Sequence, residues 1–371
     1  MDITRLENLF AGKACMPLDV PVLHPADAFL NTAGEAFRKS VFITHRADGE
    51  MLCLRPEFTI PVLAHHLRGT NGAARYSYRG TVFRQRPHVD DGRPQEFEQA
   101  GVESFAENDF AKADADMLLL ALDAVRLYPE IDPIVSIGDP AFFEALVGPI
   151  GLPTIWCDRL LRAFGDDTLL ERQLKRMVAT DESAVAHLDE ELAPLVDADD
   201  LLGLMRLIEA RMDDHGLLGA GARSPGDIAT RLLEKARADV RVSQETAETC
   251  RAFLRLECSA DLVGETLGDF ASGHGVDFAE PFAEFQARMA QGLLEADVPI
   301  RFSARFGRRL DYYTGFVFEI HDRRHPGRGP VAGGGRYDRL SELLGGPSVP
   351  AVGFSLWLDR LAGGNGVAGD D

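Results

Sequence analysis

Cysteine is scarce, with five residues in 371, at positions 15, 53, 157, 250 and 258. The number is odd, the spacings are wide and no CxxC pair occurs. That argues against a disulfide-stapled secreted scaffold and against a cysteine zinc site, and it reads as a reduced, cytosolic protein. Positive charge is also short: 39 Lys and Arg stand against 59 Asp and Glu, a net charge of −20. A field of that sign repels phosphate backbones, so tRNA or any other nucleic acid is not expected as a main partner. No apolar run reaches membrane-spanning length, and MDITRLENLF lacks the core of a signal peptide, so no membrane association is expected. The glycine-rich stretch AGGGRYDRL is neither GxGxxG nor a Walker loop, and no internal repeat is found.

What the chain does hold is 45% hydrophobic residues, enough for a core, over a length that one core rarely fills. One large domain plus an insertion is therefore expected. Strand patterns fall in two sets. The first is a hairpin over 41–56, turning at Asp48-Gly49, then long strands over 74–87 and 94–105 around a polar loop. The second is a short strand at 132–139, strands at 298–307 and 313–322, and a closing strand within VPAVGFSLWLDRLA (349–362) that runs into a helix. Helices are expected over 3–13, 26–40, 60–67 and 110–128. From about 160 to 295 the chain is rich in Ala, Leu, Glu and Arg and reads as helical. Hairpin links between strands imply an α+β fold, an antiparallel sheet with helices on one face.

Several stretches carry more polar groups than a core explains. LRPEFT (54–59) places Glu57 where a strand gives way to a helix, with Thr59 beside it. An acid there suits a helix start, and it equally suits a ligand ammonium. TVFRQRP (81–87) puts Arg84 and Arg86 on one strand face, where they suit a phosphate or carboxylate. In EFEQAGVE (96–103), Phe97, Gln99, Gly101 and Glu103 share a face, and Gly101 would let a ligand lie close to the backbone. GRRLDYYTGFVFE (307–319) packs Arg308, Asp311, Tyr312 and Tyr313 into a run of strand formers. Tyrosine there offers an apolar wall with a hydroxyl tip, and Arg308 suits a carboxylate. AGGGRYDRL (332–340) sets three glycines ahead of a helix, with Tyr337 pointing back. AVGFSLWLDRL (351–361) buries Arg360 among apolar residues, where it needs an anion or a carboxylate. Taken singly, each has a plain structural reading: a helix start, exposed strand arginines, a solvated sheet face, a hairpin.

In their order along the chain these segments resemble the catalytic domain of histidyl-tRNA synthetase, a class II aminoacyl-tRNA synthetase. They cover most of 16–128 and 298–361. The resemblance implies a class II synthetase-like antiparallel sheet flanked by helices over 1–160 and 296–362. It also implies a mostly helical insertion over 161–295 and a flexible tail at 363–371. Matched motif by motif, the family's histidine contacts fall on Glu57, Thr59, Gln99, Glu103, Arg308, Tyr313 and Tyr337. Its ATP-facing arginines fall on Arg84 and Arg360, which are candidates for an anion contact.

Three departures set the chain apart from a synthetase. The signature FRxERP is FRQRP here, one residue shorter and without the glutamate that holds adenine. RGLDYY is RRLDYY, with Arg309 crowding the ATP side. After LWLDRL only ten residues remain, where a synthetase continues into an anticodon-binding domain. A histidine pocket without those parts is similar to the regulatory subunit of ATP phosphoribosyltransferase, a synthetase paralogue of histidine biosynthesis. That resemblance implies no catalytic residue, metal or cofactor in this chain. It implies a cytoplasmic hetero-oligomer, a hetero-octamer, with the short catalytic subunit that joins ATP to phosphoribosyl pyrophosphate. It further implies activation of that subunit, feedback by L-histidine, and a homodimer formed through the stretch around Pro21. Two other readings stay open: a truncated enzyme that activates histidine with ATP, and an amino-acid sensor for another partner.

Overall fold

The computed structural model describes residues 3–32, 35–69, 72–86, 94–178, 191–214, 224–237, 242–307 and 312–363. The chain divides into two compact units, one from 1–145 with 253–371 and one from 146–252.

The described strands are β1 (Met16–Pro17), β2 (Leu23–Pro25), β3 (Ile43–His45), β4 (Met51–Leu54), β5 (Ala74–Phe83), β6 (Glu96–Phe105), β7 (Pro133–Gly138), β8 (Glu257–Ser259), β9 (Ile300–Ser303), β10 (Val317–Asp322), β11 (Ala332–Arg336) and β12 (Ala351–Trp357). All belong to the first unit. Its main sheet runs β1-β5-β6-β12-β11-β10-β7-β9-β8, and β2-β4-β3 form a small second sheet. The ladders from β5 to β7 are antiparallel throughout, as the hairpin patterns imply. Outside them, β1 joins β5 and β9 joins β7 in parallel. The fold is α+β, with helices such as Thr59–Gly69 and Phe110–Val125 beside the sheet.

Local chemistry explains the main elements. The β3–β4 hairpin turns at Gly49, whose φ of 92° suits glycine, while the Glu50 amide donates to Asp48 Oδ1. Asp109 starts Phe110–Val125, its Oδ1 accepting the Lys112 amide at 3.1 Å. The helix expected over 26–40 is Asp27–Thr32 and Glu35–Arg38.

Two expectations shift. The three glycines read as the approach to a helix are themselves strand β11, paired with β10 and β12. Glycine's weak strand preference hides a strand that is defined only by its pairing with the flanking strands β10 and β12. Close packing requires the small residue, because a Cβ on Gly334 would lie 2.1 Å from the Gly353 carbonyl oxygen. The stretch read as helical to about 295 also contains β8, paired with β9.

Aromatic rings dominate one core cluster of this unit, among them Phe29, Phe58, Tyr76, Tyr78, Phe105, Tyr312, Tyr337 and Trp357. A buried ion network lies elsewhere in it. Asp114 accepts from Arg288 Nε and Arg336 Nε, both at 2.9 Å. Arg288 Nη1 reaches Asp139 Oδ2 at 3.0 Å, and Arg336 Nη1 reaches Asp338 Oδ1 at 2.9 Å. The network ties helix Phe110–Val125 to helix Ala279–Met289 and to the end of β11.

The second unit is helical where described. Helix Asp167–Val178 buries Leu170, Leu174 and Met177, one apolar stripe at helical spacing. Val196, Leu204, Ile208, Met212, Ala229 and Leu233 form a core of their own. Arg251 binds Glu171 and Glu248. Among the described residues no helix is long and apolar enough to cross a membrane. All five cysteines are free thiols.

Candidate functional site

β4 ends at Leu54, and the chain turns through Arg55-Pro56-Glu57-Phe58 into helix Thr59–Gly69. The first amides of a helix lack intrahelical partners. Glu57 supplies them: Oε2 accepts the Thr59 amide at 2.5 Å and Oε1 the Ile60 amide at 2.9 Å. The carboxylate is thereby fixed and buried, 4% exposed. Arg55, which sequence reasoning passed over, braces the turn. Its Nη2 donates to the Thr81 carbonyl at 2.7 Å and its Nη1 to the carbonyls of Val20 and Pro21. Its guanidinium lies 4.1 Å from the centroid of the Phe58 ring.

Glu103 lies on β6, two residues beyond Gly101 on the same face. Its Oε1 accepts from Thr59 Oγ1 at 2.8 Å and from the Tyr78 hydroxyl at 3.2 Å. Its Oε2 accepts from the Tyr337 hydroxyl. Tyr337 in turn packs edge-on to Tyr312 and Tyr313, with ring centroids 5.8 and 6.3 Å away. Gln99, also on this face, is buried, and its Oε1 has no hydrogen-bond partner among the described residues.

Glycines make room for these side chains. A Cβ on Gly353 would meet Glu103 Oε2 at 1.7 Å, and one on Gly101 would meet the Tyr78 hydroxyl at 2.4 Å. This corrects the expectation for Gly101. The space it leaves holds the protein's own tyrosine tip and not a ligand.

Both acids are hard to ionise. Burial, the largest cause, pushes Glu57 up to about 7, against the Ile60 and Thr59 amides and the charge of Arg84. Burial likewise pushes Glu103 up to about 8, and the nearby Glu57 adds to it, while the hydroxyls of Tyr337, Thr59 and Tyr78 pull the other way. The Tyr78, Tyr312 and Tyr337 hydroxyls are held well above their ordinary range, first by burial and then by neighbouring groups, the two acids among them. Tyr78 and Tyr337 therefore serve as neutral donors to Glu103. Two buried acids thus lie close together, one bonded to helix amides and the other to three hydroxyls.

Of the residues named from sequence, Glu57, Thr59, Glu103 and Tyr337 form one bonded cluster, and Tyr313 joins it through ring packing. Gln99 shares the sheet face of Glu103. Arg308 lies outside the described residues. Arg84 donates from Nε to the Pro56 carbonyl at 3.0 Å and lies over the Phe37 and Phe97 rings. Arg360, expected to need an anion or a carboxylate, donates from Nη1 to the Pro330 carbonyl at 2.7 Å and stacks on Trp357. Sequence reasoning did not assign Tyr78, Tyr312 or Ser355 to the site. The register offers a signal for Tyr78 and Ser355, since both lie opposite Gly101 on the neighbouring strands. No group of three or more His, Cys, Asp or Glu able to hold a metal occurs among the described residues.

The chain matches the histidyl-tRNA synthetase family over residues 4–213 and 227–361. It is 42% identical over 364 residues to the ATP phosphoribosyltransferase regulatory subunit of Mesorhizobium japonicum, covering 96% of this chain and 95% of that one. It is 40% identical over 352 residues to the protein of the same name from Brucella ovis, covering 93% and 92%. A solved structure described as an ATP phosphoribosyltransferase regulatory subunit/histidyl-tRNA synthetase from Bacillus halodurans shares the fold. Its TM-score is 0.59 at 19% identity, over 97% of this chain and 77% of that one. Apo histidyl-tRNA synthetase of S. aureus gives a TM-score of 0.52 at 19% identity, over 97% and 67%.

Proposed function

The chain belongs to the family of ATP phosphoribosyltransferase regulatory subunits, built on the histidyl-tRNA synthetase fold, and from that premise we propose that it binds L-histidine and regulates a short catalytic subunit without catalysing a reaction itself. The observation that carries the reading is the buried pair Glu57 and Glu103, enclosed by Thr59, Tyr78 and Tyr337. Two acids kept this far from water have little reason to persist for stability alone. A ligand bearing an ammonium and an imidazole N–H would add an N–H donor to each of them.

In this reading Glu57 and Thr59 take the ammonium and Glu103 accepts the imidazole N–H. Tyr313 and Tyr337 wall the ring, and Gln99 offers its buried Oε1. Arg308 is assigned to the histidine carboxylate from its sequence motif. Arg84, the cation acting on Glu57, is proposed as a contact for a further anion. Arg360, on the Pro330 carbonyl, is assigned first to holding that turn. The shortened FRQRP segment and Arg309 are the features that speak against adenylation. Regulation requires that histidine bind two states of the complex with different affinity. The complex is proposed to be a cytoplasmic hetero-octamer built on a homodimer of this chain.

The test is reconstitution with the short catalytic subunit. The chain should raise the condensation of ATP with phosphoribosyl pyrophosphate, and L-histidine should lower it. A Glu103→Gln chain should still activate but should abolish the response to histidine. ATP–pyrophosphate exchange dependent on histidine would instead establish the truncated-enzyme reading.

A further inference from the structure

Among the described residues, Tyr78 is the one hydroxyl bonded to Glu103 that also has partners within reach in the sheet. Besides Glu103 Oε1 at 3.2 Å, its oxygen lies 3.2 Å from the Phe354 carbonyl and 2.9 Å from Ser355 Oγ. The ring is fixed. It stacks on Phe58 with centroids 4.3 Å apart, and its tip fills the space that Gly101 leaves open. With the ring locked, the proton alone is free to move, by rotation about the C–O bond. Tyr337, by contrast, has Glu103 as its one hydroxyl partner among the described residues.

We infer that Tyr78 is a two-state partner of Glu103: it donates to the ionised carboxylate, and turns to the Phe354 carbonyl to accept from the protonated one. Both charge states of a fully buried acid are then satisfied, which a fixed donor cannot achieve. Glu103 can lose its proton as a cationic ligand arrives, and regain it on release, without a movement of the backbone. Tyr78 is thus a positioning residue for the proposed histidine site, and its functional meaning rests on that reading. The groups facing Glu103 are Thr59 from its helix, Tyr78 from β5, Tyr337 beyond β11 and Gly353 of β12. Glu57 and Tyr312 complete the titratable surroundings, with Arg84 acting on Glu57.

The experiment follows the Glu103 carboxyl directly, without histidine. The full chain carries 13C at glutamate Cδ, and the Glu103 signal is assigned by its loss in Glu103→Gln. Tyr78→Phe keeps the ring and removes one oxygen. It should raise the titration midpoint of Glu103 by about half a pH unit or more, because the lost bond favoured the charged form most. Tyr76→Phe, on the same face of the same strand, should leave the midpoint in place. An unmoved midpoint in Tyr78→Phe, or an equal rise in Tyr76→Phe, overturns the inference. A second arm titrates L-histidine. Tyr78→Phe should lose about threefold in affinity at pH 7 and nothing at pH 9, where Glu103 is ionised beforehand. Equal losses at both pH values would assign Tyr78 a purely structural role and overturn the inference. Absence of histidine binding in the unaltered chain would overturn the site reading instead, and the carboxyl midpoint would still judge Tyr78.

Discussion

Replacing Glu103 by glutamine should stabilise this protein at neutral pH, and the gain should depend on pH in a definite way. The carboxyl titrates near 4.5 when exposed and near 8 in the folded chain, chiefly through burial. Between those values the folded state binds a proton that the unfolded state has released. Stability from that proton is full below about 4.5 and is lost as the pH rises towards 8. At pH 7 the interval above 4.5 corresponds to about 3 kcal/mol, as an upper figure for an acid coupled to Glu57. Glutamine has the same shape. Its amide oxygen still accepts from Tyr337, and its amide N–H donates to a Tyr78 hydroxyl turned to the Phe354 carbonyl. The variant should therefore gain little at pH 5 and about 3 kcal/mol at pH 7. Urea denaturation of both proteins at pH 5, 6, 7 and 8 measures this. Stability curves that stay parallel across the range would refute the claim that burial keeps Glu103 protonated in the folded chain. Loss of histidine response in the same variant would mark the acid as retained for function at a cost in stability.

Other outcomes follow from the same geometry. Gly353→Ala puts a methyl where Glu103 Oε2 now sits, and should weaken L-histidine at least about tenfold by calorimetry. Histidine binding near pH 7 should release protons from Glu57 and Glu103, seen as a buffer-dependent heat that fades above pH 9. Arg288→Met leaves Asp114 and Asp139 short of a buried partner, and should cost about 3–5 kcal/mol in denaturation. Asp109→Ala removes a helix cap outside the Glu57–Glu103 cluster, and should cost about 1 kcal/mol with histidine affinity unchanged.

Much of the fold was legible because its signals are local. Alternating runs marked β5, β6, β10 and β12, and the Asp48-Gly49 turn fixed the β3–β4 hairpin. β11 was not legible, since Gly333, Gly334 and Gly335 carry no side chain to alternate, and only the flanking strands make them a strand. Glu57 was read as either a helix start or a ligand anion, and the geometry gives it the first role without removing the second. The site residues that escaped notice, Tyr78 and Ser355, sit opposite Gly101 across the sheet, a relation that no window along one strand contains. Arg55 and the Asp114 network escaped for the same reason: their partners lie tens to hundreds of residues away.

Calorimetric titration of L-histidine into the proposed complex of this chain with a short catalytic subunit bears most directly on the proposed histidine cradle. The expected result is one histidine bound per copy of this chain, and none when Glu103→Gln replaces it. Undiminished binding in that variant, or no histidine bound to the unaltered complex, would contradict the account.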